Sequence, residues 1–61
     1  MILIIGIDGL LGNYLFKDLK RFYDVIGTSR KLFGKNICHY DILNPISNLQ
    51  IEWARVEVVI L

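Results

Sequence analysis

The stretch MILIIGIDGLLGNYL, residues 1–15, decides the fold of this chain. Its first five residues are apolar and include three isoleucines, which is typical of a strand buried on both faces in a parallel sheet. Three evenly spaced glycines, Gly6, Gly9 and Gly12, then interrupt the apolar run. From Leu11 onward, apolar residues recur at helical spacing, at Leu11, Leu15, Leu19 and Phe22. The sequence therefore predicts a buried strand, a glycine-rich turn and an amphipathic helix of about three turns.

The rest of the chain continues this alternation of strands and helices. The segment DVIGT (24–28) predicts a second strand and ICHY (37–40) a third. Asn44 suits an N-cap and Pro45 the first helical position, so a second helix of about two to three turns is expected in LNPISNLQIEWAR. The segment VEVVIL (56–61) predicts a fourth strand. This order predicts an α/β fold, the N-terminal portion of a doubly wound parallel sheet with right-handed crossovers.

Length and composition limit the classes of protein to which the chain can belong. With 61 residues, 54% of them hydrophobic, it is at most one small globular domain of marginal stability. No apolar run approaches the roughly 20 residues of a membrane span and the N-terminus lacks a secretion signal, so we expect a cytoplasmic protein without a membrane partner. A net charge of +1 gives no reason to expect nucleic acid. The single cysteine, Cys38, permits no internal disulfide, and it cannot converge with its strand neighbour His39 on a metal ion.

The glycine stretch lies where a dinucleotide-binding fold has its phosphate-binding loop, between a buried strand and a helix. Gly6 would allow the tight turn, Gly9 the approach of a pyrophosphate, and Gly12 the close packing of helix on strand. The amides at the helix start, including those of Leu10 and Leu11, would face the anion. Asp8 would repel a pyrophosphate unless it points away, for instance by capping the helix. A purely structural turn is the alternative interpretation.

The motif GIDGLLG, with its G-x-x-G-x-x-G spacing, resembles the glycine motif of the extended short-chain dehydrogenases/reductases. Within this family of NAD-dependent epimerases and dehydratases, it is most similar to the dTDP-4-dehydrorhamnose reductase-like branch. The likeness spans nearly the whole chain but only about the first third of a typical member. The resemblance implies that residues 1–61 are a partial NAD(P)-binding Rossmann domain, truncated after the fourth strand, from a nucleotide-sugar reductase or epimerase. The nucleotide-sugar substrate would bind only to a complete protein.

The end of the second strand bears on which cofactor binds. NAD-specific folds usually carry an acidic residue there for the ribose 2′-hydroxyl, whereas this chain has Thr28, Ser29, Arg30 and Lys31. A hydroxyl and two cations suit a 2′-phosphate, so the sequence predicts NADP as the preferred cofactor and NAD as a possible one. The resemblance also implies this role for Arg30. A solvated basic loop is the alternative.

Two residues after the third strand complete the predicted site. The resemblance implies that Asp41 binds the adenine amino group and that Ile42 packs near the ring. From the residues alone, Asp41 is equally well a loop residue or a cap beside a helix. The aromatic residues at helical spacings are expected to pack in the core: Tyr14, Phe16, Phe22, Tyr23 and Trp53.

No catalytic residues are expected in this chain. The resembled family works through a Tyr-x-x-x-Lys pair, but Tyr14, Tyr23 and Tyr40 are followed four residues later by Asp18, Gly27 and Asn44. We therefore expect an N-terminal fragment or truncated product whose open sheet another chain covers. A non-catalytic dinucleotide sensor or regulatory module is the alternative function, and a small structural module that binds nothing is a third possibility.

Overall fold

A computed structural model describes all 61 residues and contains a four-stranded sheet with one α-helix. The elements are β1 (Ile2–Ile4), α1 (Leu10–Leu19), β2 (Val25–Ser29), β3 (Ile37–His39), two 3-10 turns (Ile46–Asn48 and Trp53–Arg55) and β4 (Val58–Ile60). All strand pairs are parallel and their order is β3-β2-β1-β4. The predicted α/β class and parallel sheet are confirmed.

Because all strand pairs are parallel, the carboxyl ends of the four strands lie at one edge of the sheet. Ile4 at the end of β1 pairs with Gly27 of β2 and with Ile60 of β4. The chain order reverses beside β1, because β2 and β3 lie on one side of it and β4 on the other. The chain leaves β1 toward β2 on one side, and after β3 it crosses back to form β4 on the other side of β1. Open parallel sheets bind ligands beyond the strand ends at such a reversal of strand order.

A short loop, residues 30–36, connects β2 to its parallel neighbour β3 without a helix. The last residue of β2, Ser29, pairs with His39, and Gly27 pairs with Ile37. The loop therefore has to return along the strand direction only from the level of Ser29 to that of Gly27, two residues or about 7 Å, before β3 begins. A three-residue strand makes this short crossover possible.

The core lies between the sheet and α1. Ile4, Ile7, Phe16 and Val25 form its buried cluster, and Leu15 and Leu19 pack against it from the helix. Gly27 has no side chain at the point where one would collide with this cluster, since a Cβ there would lie 2.6 Å from Ile7 Cγ2. The core is thus built mainly by β1, β2 and the inner face of α1.

The predicted apolar stripe of the helix is partly wrong. Leu11 and Phe22 are each 71% exposed, whereas Phe16 is buried. Because the helix ends at Leu19, Phe22 belongs to the following turn, where its N–H donates to the Leu19 carbonyl oxygen. Tyr14 and Tyr23 are also exposed, so of the predicted aromatic core residues only Phe16 is buried.

The predicted second helix is wrong. Asn44 and Pro45 are followed by two separate 3-10 turns rather than by continuous α-helix. Leu49 leaves the first turn with an extended backbone, ψ 118°, and is the only buried residue beyond Ser29. The segment also contains Ser, Asn and β-branched Ile residues, whose weak helix propensity disfavours a continuous α-helix here.

The amino ends of the strands carry two exposed ion pairs. Arg55 Nη2 lies 2.6 Å from Asp24 Oδ2, and the Met1 ammonium nitrogen lies 2.9 Å from Glu57 Oε1. The hydrogen bond from that ammonium lowers the pKa of Glu57, and its charge adds to the effect. No helix combines the length and the apolar character that a membrane crossing requires.

Candidate functional site

The glycine stretch forms a tight turn between β1 and α1. Gly6 has a φ of 82°, in the left-handed region that favours glycine. Ile7 then points into the core, and Gly9 is the N-cap of α1 with an extended backbone, φ −75° and ψ 161°. The predicted strand, turn and helix are therefore present, and the helix begins directly after Gly9.

Gly12 allows the helix to lie against the turn. A Cβ on Gly12 would lie 2.3 Å from the Gly6 carbonyl oxygen and 3.2 Å from Ile7 Cα. Gly9 is different, because a Cβ there would meet no atom within 4 Å. Packing within the chain thus explains the glycine at position 12, whereas the space beside Gly9 is open.

Hydrogen bonds from the end of β2 hold this turn in place. The Gly6 N–H donates to Thr28 Oγ1 at 2.9 Å, and the Ile7 N–H donates to the Thr28 carbonyl oxygen at 2.8 Å. Because Thr28 is buried, water cannot readily replace either acceptor, and loss of one would leave an N–H group unpaired at a cost in free energy. The side chain and backbone of one β2 residue therefore position the glycine turn.

Asp8 adds a second connection to β2. One of its carboxylate oxygens accepts a hydrogen bond from the Ser29 hydroxyl, and the other accepts the Arg30 N–H at 3.1 Å. The Ser29 hydrogen bond, then that of the Arg30 amide, lowers the pKa of Asp8, and the charges of Lys31 and Arg30 act in the same direction. The carboxylate is therefore ionised at neutral pH.

This placement corrects two expectations. Asp8 does not cap α1, because Gly9 is the N-cap and no side chain bonds to the first turn. The sequence also shows no acidic residue at the end of β2, but the glycine turn brings the Asp8 carboxylate to that position. Local sequence at β2 contains no sign of this residue, which lies 21 positions earlier than Ser29.

Ser29 is a buried centre of hydrogen bonds rather than an exposed hydroxyl. Its hydroxyl donates to Asp8 and accepts the N–H groups of Lys31 at 3.0 Å and Leu32 at 2.7 Å. One donor and two acceptors are the full capacity of a hydroxyl. Ser29 therefore orders the loop after β2, while the side chains of Arg30 and Lys31 are exposed.

A cleft of about 290 Å³ opens over the strand ends. Its lining consists of Ile5, Gly6, Asp8, Thr28, Arg30, Tyr40 and Ile42. Four of the predicted site residues are thus brought together there: Gly6, Asp8, Arg30 and Ile42. The remaining predicted residues do not line it: Gly9, Leu10, Leu11, Gly12, Ser29, Lys31 and Asp41. Ile5, Thr28 and Tyr40 were not predicted, although each lies at or next to the end of a strand.

Asp41 initiates the turn that follows β3. Its Oδ1 accepts the Leu43 N–H at 2.9 Å, and its carbonyl oxygen accepts the Asn44 N–H at 2.9 Å. The Tyr40 hydroxyl donates to the Asn44 carbonyl oxygen at 2.8 Å and fixes the same turn. These bonds place Ile42, which is 76% exposed, at the rim of the cleft. Within the chain, Asp41 therefore acts as a loop residue that stabilises a turn.

A second hollow, of about 420 Å³, lies on the outer face of α1 and is lined by Leu10, Asn13, Tyr14, Lys17, Asp18 and Arg21. No strand residue lines it, and its polar groups belong to a solvated helix surface. The cleft over β1, β2 and β3 is therefore the candidate site. No model of a protein family, no curated protein and no solved structure matches this chain.

Proposed function

We propose that the chain binds a nicotinamide dinucleotide, NAD or NADP, in the cleft over the strand ends and on the adjoining start of α1. On this proposal it is the N-terminal part of a Rossmann domain in a nucleotide-sugar reductase or epimerase, as the GIDGLLG motif implies by resemblance. The observation that carries the proposal is the β1–α1 turn, in which Gly12 contacts Gly6 closely while the space beside Gly9 is open.

The strand order supports this proposal. In open parallel sheets, ligands bind beyond the carboxyl ends of the strands at the point where strand order reverses. Here that point lies beside β1, and the glycine turn follows β1 directly. The candidate cleft adjoins this point on the β2 side of β1, which supports the proposal.

The residues of the site fit the chemical parts of such a ligand. The first amides of α1, those of Leu10, Leu11 and Gly12, lack intrahelical acceptors and would donate to the diphosphate. Ile42, Asp8 and Arg30 line the same cleft, where Ile42 would offer an apolar surface to the adenine ring and the other two would contact the adenosine ribose. When bound, the nicotinamide supplies hydride transfer. The residues of this chain bind and orient the cofactor, whereas proton transfer and substrate binding belong to other residues of the complete protein.

Replacing Gly9 by valine tests the proposal, because Gly9 is required neither by its backbone angles nor by packing. We expect Gly9→Val to retain the circular dichroism spectrum of the wild type and to lose no more than about 1 kcal/mol in the free energy of unfolding, because valine is a poorer N-cap than glycine. The added side chain would occupy the space of the diphosphate and weaken NADH and NADPH at least about tenfold, or 1.4 kcal/mol, by titration calorimetry. Ser47→Val, a change in the exposed first 3-10 turn, is the matched control and leaves affinity unchanged.

Two results would contradict the proposal. One is a Gly9→Val variant that is folded and binds both dinucleotides as the wild type does. The other is a folded wild-type chain that binds neither NADH nor NADPH.

A further inference from the structure

Asp8 occupies a position that an anion from outside the chain would otherwise take. The sequence predicts that Ser29, Arg30 and Lys31 bind a 2′-phosphate, but Ser29 Oγ and the Arg30 N–H already donate to the Asp8 carboxylate. The Lys31 N–H is also in use, because it donates to Ser29 Oγ. The anion that the Ser29 hydroxyl and the Arg30 N–H hold is therefore the chain's own carboxylate, whereas the side chains of Arg30 and Lys31 are exposed.

The carboxylate is held there firmly. Ser29 is only 1% exposed, so its hydroxyl would lose its acceptor in a dry environment if Asp8 swung away. The turn that carries Asp8 is fixed on both sides of Gly6 by the bonds to Thr28. A phosphate that entered this position would have to displace Asp8 from both of its partners.

A ribose hydroxyl, unlike a phosphate, can donate a hydrogen bond to the Asp8 carboxylate. A carboxylate has about four acceptor positions, and Ser29 and Arg30 use two of those on Asp8. Asp8 also lines the cleft, so its remaining acceptor positions can receive a hydroxyl donor. A 2′-phosphate has no such proton to donate when fully ionised and carries charge of the same sign.

We infer that Asp8 determines the choice of cofactor by rejecting a 2′-phosphate and accepting the ribose 2′-hydroxyl, so that the chain prefers NAD(H) to NADP(H). This inference rests on the proposed dinucleotide site and reverses the cofactor preference that the sequence predicts from Arg30 and Lys31. The acid comes from the glycine turn rather than from the end of β2.

The test compares the affinities of NADH and NADPH for the full chain by titration calorimetry. We expect the wild type to bind NADH at least about tenfold more tightly than NADPH. Asp8→Asn removes the charge with little change of shape and should lower that ratio at least about tenfold, chiefly by strengthening NADPH. Asp18→Asn removes the same charge from the exposed surface of α1 and should change the ratio less than about twofold.

Each outcome separates this inference from the proposed function. Wild-type binding of NADPH as tight as that of NADH overturns the inference alone, and this measurement does not depend on the folding of any variant. An equal effect of Asp8→Asn and Asp18→Asn in folded proteins also overturns it. Absence of binding of either dinucleotide overturns the proposed function, and the inference with it.

Discussion

The contact between Gly12 and Gly6 makes Gly12→Ala the most informative single change in this chain. The new Cβ would lie 2.3 Å from the Gly6 carbonyl oxygen, where ordinary contact begins at 3.4 Å. The turn or the helix must therefore move by roughly 1 Å, because backbone atoms cannot rotate out of the way as side chains do. The turn cannot yield easily, since Thr28 holds the N–H groups on either side of the Gly6 carbonyl.

Opposing effects determine the size of the change. Overpacking costs about 1–3 kcal/mol, and two strained hydrogen bonds add about 0.5–1.5 kcal/mol each if they break. Alanine in place of glycine within a helix contributes about 1 kcal/mol in the opposite direction. We expect a net loss of about 2 kcal/mol in the free energy of unfolding, equivalent to a fall of about 8–16 °C in the melting temperature of so small a domain.

Urea unfolding followed by far-ultraviolet circular dichroism measures this loss. Asn13→Ala, one residue later in the same helix, is the control for helix propensity and should be neutral or stabilising by about 0.5 kcal/mol. Gly9→Ala is the control for loss of glycine without a clash and should be near neutral. Faster exchange of the Ile7 amide proton in Gly12→Ala would locate the disturbance in the turn. A Gly12→Ala variant as stable as Asn13→Ala would refute the reasoning.

Three further predictions concern the site and the core. Hydrogen bonds lower the pKa of Asp8, so the ionised carboxylate stabilises the native state above the usual aspartate pKa of about 3.9, and this contribution is lost as pH falls through the lowered pKa. Urea unfolding across a pH series should therefore show that the stability advantage of wild type over Asp8→Asn shrinks in acid. A stability difference that stays constant with pH would contradict the assignment. Thr28→Val removes the acceptor of the Gly6 N–H and should cost about 1–3 kcal/mol in the same assay, while Thr28→Ser retains the oxygen and should cost less; equal losses would show that the hydroxyl is unimportant. Leu49→Ala should cost about 2–5 kcal/mol in thermal unfolding, whereas Leu43→Ala, at an exposed position, should stay within about 0.5 kcal/mol, and the reverse order would be incompatible with the packing.

The elements around the glycine turn were predictable because their signals are local. A run of apolar residues before Gly6 and a helical period after Gly12 are properties of neighbouring positions, and backbone propensity acts over the same range. The structure confirms β1, the turn and α1 for this reason. The second helix was predicted from the Asn44 and Pro45 start signals, but the residues that follow include Ser and Asn, whose helix propensity is weak, and the segment forms two 3-10 turns instead.

For the candidate site, the sequence alone determined which residues lie at the ends of the strands, since strand boundaries follow from local composition. Only the tertiary structure decided how those residues meet. Parallel pairing of β1 with β2 places Asp8 beside Ser29 and Arg30, although 21 and 22 residues separate them along the chain. Hydrogen bonds and charges act through distances in space, so the acid at the end of β2 could not be recognised from the residues that follow β2.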